Sequence, residues 1–404
     1  MLTVDEALQQ ILKHVQPGPA AAVPLQDCLN LVLAEDLKTP HDSPPFDKAM
    51  MDGFAVNSAA FEEGVERTLG VLETITAGTV PSHTAKDDAA RIMTGAPIPL
   101  GADCVVPIER VQFDEAMPDS VVVNGGDVAA ERNVLRQGSA AKTGEPLMAA
   151  GTLLQPQHIA VLAEFGVANV PTFRRPTISV LATGDELLPI DQPLTPGRIR
   201  NSNEPMLVSQ IQRAHGTPVP LGVARDTQDD LRPKIQQGLE CDFLLLSGGV
   251  SAGTLDLVPA ELQAAGVEQV FHKIQMKPGK PLWFGQLKTA DRHCWVFGLP
   301  GNPVSSMVCF ELFVRAAMRQ FAGHANPMPQ TVLGRLTEDV TVKGDRPTYF
   351  PSRLEQTDDG LTVTPVPWGG SADLRSTAQA NAMSVLQPQA ETYRAGQTVP
   401  TISW

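Results

Sequence analysis

Apolar residues recur at helical spacing from the start of the chain. Val4, Ala7, Leu8, Ile11, Leu12 and Val15 fall on one face, and Pro17-Gly18 ends the pattern. Thr3 and Glu6 stand in the T-x-x-E arrangement of a capping box, so an amphipathic opening helix is predicted. From about residue 40 to 135 the pattern shortens to β-rich runs, 68–76, 89–94 and 104–108, broken by Pro, Gly and Asp, which predicts a small β-rich domain. A second helix over 156–165, with Gly166 beyond its end, precedes another change of style.

Between about 172 and 325 strand and helix patterns alternate. Buried strands are predicted at 177–183, 217–223, 243–247 and 294–299, and helices at 204–215 (ended by Gly216), 227–239 (capped by Thr227), 258–265 and from Pro303 onward. Pro233 conflicts with the 227–239 helix and predicts a late start or a kink there. The alternation is that of an α/β domain with a mostly parallel sheet and helices on both faces. After Pro327 short alternating runs return, 331–342, 348–355 and 361–366, which reads as a compact β domain.

Composition narrows the class. The chain has 404 residues, 42% of them apolar and 19% charged, enough for several packed cores and unlike a disordered or fibrous protein. Lys and Arg number 31 against 45 Asp and Glu, a formal charge of −14, which argues against nucleic acid or an acidic membrane face as the main partner. The five cysteines are scattered without C-x-x-C or Cys/His ligand spacing, so neither a disulfide framework nor structural zinc is expected, and a reducing cytoplasm fits. The amino terminus lacks the pattern of a signal peptide, and the apolar stretch 295–314 is interrupted by Pro300, Gly301, Asn302, Pro303 and Glu311, so no membrane span is expected. The eight histidines show no metal-ligand spacing.

In an open α/β sheet the ligand sits beyond the carboxyl ends of the strands. Four such loops are unusual here. Thr183-Gly184-Asp185-Glu186-Leu187 brings a glycine and two carboxylates. Ser247-Gly248-Gly249-Val250-Ser251-Ala252-Gly253, followed by Asp256, offers glycines, hydroxyls and backbone amides suited to a phosphate. Lys277-Pro278-Gly279-Lys280-Pro281 holds two lysines in a stiff segment, and Leu299-Pro300-Gly301-Asn302-Pro303 opens a helix whose N-terminus carries partial positive charge. Singly, each reads as a tight turn or a solvated side chain; four in one domain describe an anion pocket. Glu186, Asp226 and Asp256 would repel that anion unless a divalent cation lay between them, which makes Mg²⁺ the economical addition. No P-loop or dinucleotide fingerprint is present.

Six stretches of the chain, in order, carry a family resemblance: Pro44-Pro45-Phe46-Asp47 with Met51-Asp52-Gly53-Phe54-Ala55, Arg91 to Pro97, Thr183 to Leu187, Ser247 to Gly253, Lys277 to Pro281, and Leu299 to Pro303. Together they resemble molybdopterin molybdenumtransferase, the MoeA and gephyrin E-domain family of molybdenum cofactor biosynthesis. The resemblance implies an α/β molybdopterin-binding domain with β-rich flanking domains in an elongated, multidomain subunit. The divisions expected are a helical linker and dimerisation domain (1–40 with 135–171), a β-rich second domain (41–134), the α/β domain (172–325) and a C-terminal β domain (326–404). It also implies the reaction: adenylylated molybdopterin is bound, molybdate is brought to its dithiolene, and the adenylate is hydrolysed with Mg²⁺ as molybdenum is inserted. A homodimer is implied, in which the α/β domain of one chain faces the second domain of the other, as are contacts with the molybdopterin adenylyltransferase and with molybdoenzymes.

On that basis Asp52, Glu186, Asp226 and Asp256 are the candidate catalytic residues, with Glu186 and Asp256 on the metal. Thr94, Gly184, Asp185, Ser247, Gly248, Gly249, Ser251, Gly253, Lys277, Gly279, Lys280, Pro300, Gly301, Asn302, Pro303, Arg353 and Ser371 are candidate substrate contacts, with Arg346 a further one toward the pterin. The chain departs from the family pattern at Ala140 or its neighbour, in Arg136-Gln137-Gly138-Ser139-Ala140, where relatives usually carry an acidic residue, and at Lys48-Ala49-Met50, where small polar residues are usual. The acidic gap supports an alternative reading as a non-catalytic pterin-binding scaffold. A lone nucleotide-handling domain, such as the adenylyltransferase, would not need the flanking β domains.

Overall fold

The computed structural model describes residues 1–250, 257–388 and 392–404. The chain forms two compact units, one built from Met1–Glu35, Gly151–Ala160 and Ala168–Trp404, the other from Asp36–Ala150 and Val161–Val167. Among the described residues no helix is long and apolar enough to cross a membrane.

The first unit opens with the helix Val4–His14. Its capping box is complete: the Glu6 amide donates to Thr3 Oγ at 3.2 Å and the Thr3 amide to the Glu6 carboxylate at 2.8 Å. The sheet at the centre of this unit has six strands. Thr217–Ala224, Thr177–Thr183, Phe243–Ser247 and His293–Leu299 run parallel in that spatial order, and Trp283–Lys288 and Glu268–His272 continue it antiparallel. The mostly parallel expectation holds, while the two strands added through antiparallel pairings were not anticipated.

Alternate residues of the inner strands serve opposite faces, as the pleat requires. Ile178, Val180, Phe243, Leu245, Trp295 and Phe297 join a core with the opening helix, Asn203–Arg213 and the 303–321 helical run. Leu181, Leu244, Leu246 and Val296 join a second core with Gln228–Gly238 and Val258–Ala264. Phe243, Phe284 and Phe297 are fully buried, and the Phe297 ring meets both of the others at a tilt, with Phe284 and Phe297 centroids 4.9 Å apart. Truncating Phe297 to alanine costs about 3–5 kcal/mol.

Helix ends differ from the sequence reading in instructive ways. The Asn203–Arg213 helix ends through His215, whose φ is 61°, and Gly216 is needed for closeness instead: a Cβ there would lie 2.6 Å from Ile178 Cδ1. Thr227 precedes the Gln228–Gly238 helix without a side-chain capping bond, and Pro233 sits inside that helix with no late start. The 303–321 run consists of Pro303–Cys309, a π turn at Phe310–Val314, and Arg315–Phe321. Glu311, in the π turn, is buried but not alone: Arg213, Arg315 and Gln210 all donate to its carboxylate.

After Pro327 the five strands Thr331–Leu336, Gly360–Pro365, Thr348–Thr357, Ala382–Leu386 and Thr398–Ser403 close into a barrel, which leaves no free sheet edge. The second unit carries a six-stranded sheet in the order Cys104–Pro107, Gly53–Val56, Ala89–Ile92, Glu66–Ile75, Ser120–Asn124 and Val111–Phe113. Phe54, at its centre, lies against Phe113 with centroids 5.0 Å apart.

Candidate active site

The parallel register aligns Thr183 with Ala224, Ala182 with Ser247, and Ser247 with Leu299, so the loops that follow these strands emerge along one edge of the sheet. They enclose a cavity of about 770 Å³, a size suited to a nucleotide-sized ligand. Gly184, Glu186, Asp226, Ser247, Gly248, Gly249, Pro300, Gly301, Asn302 and Pro303, all expected from sequence, line it. Asp185 does not line it, but its Oδ1 accepts from the Asp226 amide at 3.4 Å.

Backbone constraints shape the walls. Gly248 has φ 99° and Gly249 φ 64°, both left-handed; a Cβ on Gly248 would meet the Thr183 carbonyl, and one on Gly249 the Val258 side chain at 2.7 Å. The Gly248 amide is already spent on the Leu299 carbonyl at 3.1 Å, so it is not available to a ligand. The Asn302 amide group donates to Ser371 Oγ at 3.0 Å, and the Ser306 amide to the Asn302 carbonyl at 3.0 Å, which anchors the Pro300–Pro303 turn to both the helix and the C-terminal domain.

Beside it lies a second cavity of about 280 Å³, sharing Pro281, Pro300 and Asn302 with the first. Lys277, Gly279, Lys280, Arg346, Ser305, Ser371 and Trp368 line it. The lysine loop is stitched to the barrel: the Lys277 amide donates to Pro347, its carbonyl accepts from Tyr349, and its Nζ reaches the Lys343 carbonyl at 3.3 Å. Arg346 donates to the Met276 carbonyl at 3.1 Å. Trp368 Nε1 is buried with no hydrogen-bond partner among the described residues. Hence, among the described residues, the larger cavity carries two carboxylates, Glu186 and Asp226, with the one cation Arg200, and the smaller one carries Lys277, Lys280 and Arg346.

Arg353 lines neither cavity; it is exposed and pairs with Glu355 at 2.8 Å. Ser251, Gly253 and Asp256 lie outside the described residues. In the second unit, Asp52 Oδ1 accepts from both the amide and the hydroxyl of Thr94 at 2.7 Å, and these bonds, the hydroxyl's first, hold its carboxyl below the usual aspartate range. The loop carrying Ala140 is closed by Asp42, whose carboxylate accepts from the amide and hydroxyl of Thr143 and from Gln137.

Three family models match successive parts of the chain: the MoeA N-terminal region (domain I and II) over residues 2–166, a probable molybdopterin binding domain over 179–320, and the MoeA C-terminal region (domain IV) over 334–404. A molybdopterin molybdenumtransferase of Staphylococcus aureus is 34% identical over 411 aligned residues, covering 99% of this chain and 95% of the relative. The chain belongs to the molybdopterin molybdenumtransferase family. It is thus an enzyme of molybdenum cofactor biosynthesis. The Bacillus subtilis molybdopterin molybdenumtransferase is also 34% identical, covering 99% of this chain and 94% of its own. The crystal structure of a molybdopterin biosynthesis moeA protein from Pyrococcus horikoshii superposes with a TM-score of 0.80 at 29% identity, covering all of both chains. The fold is that of the molybdopterin molybdenumtransferase family, with its central domain flanked by β-rich ones.

Sequence reasoning missed one wall of the larger cavity: Ile199, Arg200, Asn201, Ser202 and Asn203. The polar run Arg200-Asn201-Ser202-Asn203, set just before a helix, was the available signal.

Proposed function

We propose that the chain inserts molybdenum into adenylylated molybdopterin, coupled to Mg²⁺-dependent hydrolysis of the adenylate with release of AMP. The observation that carries this reading is the pair of adjoining cavities with complementary chemistry. The larger offers buried oxygens without a hydrogen-bond partner among the described residues, Thr183 Oγ1 and Asn203 Oδ1, beside the carboxylates of Glu186 and Asp226. The smaller offers Lys277, Lys280 and Arg346 with the unpartnered indole N–H of Trp368, a donor set for a tetrahedral oxyanion such as molybdate.

The donor set of the larger cavity fits Mg²⁺, which takes one or two carboxylates and fills its shell with water and phosphate oxygens. Glu186 and Asp226 would hold it together with Asp256, which lies outside the described residues; among the described residues no group of three His, Cys, Asp or Glu side chains forms a metal site. Bound there, the cation would neutralise charge on a phosphoanhydride. The chain's own residues do the rest. The glycines at 184, 248 and 249 let the cavity's loops pack closely on Glu186, Thr183 and Val258, which fixes the walls the substrate meets. Lys280 and Arg346 hold the oxyanion beside the nucleotide cavity, so the two reactants meet in a fixed geometry.

The test is direct. Purified protein given Mg²⁺, molybdate and adenylylated molybdopterin should release AMP. Substrate that is bound but stays intact would favour the scaffold reading, and absence of binding would defeat both. The dimer in which Asp52 and Thr94 serve the partner's cavity belongs to the same proposal. It is tested by mixing Asp52→Ala and Glu186→Ala chains, each inactive alone, which should regain activity in mixed dimers.

A further inference from the structure

We infer that Asn203 is a substrate-recognition residue whose side-chain oxygen accepts a hydrogen bond from an N–H or O–H group on the nucleoside part of the ligand. The inference rests on the adenylylated substrate proposed above and adds to it the atom that reads the nucleoside.

Asn203 is the first residue of the Asn203–Arg213 helix, only 9% exposed, and it lines the larger cavity. Its amide nitrogen spends both hydrogens on the protein, one to Ser247 Oγ at 2.7 Å and one to the Gly301 carbonyl at 2.8 Å. Its oxygen, Oδ1, is buried and has no partner among the described residues. The orientation is not interchangeable. Flipping the amide would set its oxygen against the Gly301 carbonyl, which can only accept, and both donors would be lost. The sequence therefore builds a fixed, desolvated acceptor into the cavity wall. Thr183, 4% exposed, adds a second buried oxygen without a partner among the described residues, behind the Gly248-Gly249 turn.

An acceptor stripped of water and left unpaired is costly, so a ligand that supplies a donor gains what a ligand lacking it forfeits. A phosphate at neutral pH has no donor to offer and would be repelled by the amide oxygen. On the nucleoside part of an adenylylated ligand the donors are the exocyclic amine of the base and the ribose hydroxyls, and the proposal sets one of these at Asn203. The requirement is the same whichever it is, and analogues tell the sources apart.

The experiment is a binding cycle by titration calorimetry with the full chain in Mg²⁺. AMP, IMP, 2′-deoxy-AMP and 3′-deoxy-AMP are each titrated into the wild type and into Asn203→Ala. One analogue is expected to bind the wild type about tenfold to a hundredfold more weakly than AMP. Asn203→Ala should lose a similar factor for AMP and little more for that analogue. The wild-type series alone keeps the idea testable should the variant fold poorly. Equal affinity of all four nucleotides for the wild type, or a uniform loss across all four in the variant, would overturn the role of Asn203 and leave the functional reading standing. A loss of affinity for Mg²⁺ alone, measured without nucleotide, would overturn it in favour of a cation ligand. If AMP fails to bind the wild type at all, the functional reading itself falls, and this inference with it.

Discussion

The backbone of Gly248 lies against the carbonyl of Thr183: a Cβ on Gly248 would stand 2.7 Å from that oxygen, at a φ of 99°. Two neighbouring parallel strands thus end in a contact that only glycine permits. Gly248→Ala is expected to lower stability by about 1–3 kcal/mol and to weaken nucleotide binding, because backbone, unlike a side-chain tip, cannot give way cheaply. Gly301→Ala, whose Cβ would meet only the Gly248 Cα at an ordinary 3.7 Å, should change stability by less than about 0.5 kcal/mol. Urea unfolding of the two variants checks the contrast, and equal losses would contradict the contact argument.

The cationic cavity makes a separate prediction. Lys280→Ala and Arg346→Ala should each weaken molybdate binding by about tenfold, with a shallower dependence on salt as each charge is removed. Arg346→Lys should recover only part of the loss, since an ammonium cannot reproduce the planar fork of the guanidinium. Molybdate titrations at low and high salt decide this; an unchanged affinity in the Lys280→Ala/Arg346→Ala double variant would remove the oxyanion from this cavity.

His324 should make stability pH-dependent. Burial, with Arg319 and His215 adding repulsion, pushes its imidazole down to about 4. The unfolded chain takes up that proton near pH 6.5, well before the folded chain does. Stability is therefore full above about pH 6.5, and falls as pH drops from there to about 4, below which both states are protonated and the effect levels off. Chemical denaturation across this range should show a flatter profile in His324→Gln. NMR titration of the imidazole near its ordinary value would refute the assignment.

Much of the central domain was legible in the chain. The strands at 177–183 and 243–247 appear with the expected limits, and the capping box of Thr3 and Glu6 forms as written, because burial periodicity and capping are local codes that neighbouring residues satisfy among themselves. The glycine loops were visible too, since a turn beyond a buried strand leaves its mark in composition.

What sequence alone determined was the inventory: the four parallel strands of the central sheet, which loops carry glycine, carboxylate or lysine, and the family they resemble. Tertiary structure decided which of them meet. The antiparallel pair Glu268–His272 and Trp283–Lys288, the exclusion of Arg353 from both cavities, and the stranded oxygen of Asn203 all depend on strand order and on contacts between residues about a hundred positions apart, such as Asn203 and Gly301. No local pattern encodes such pairings, because their free energy exists only once the sheet has brought its strand ends together.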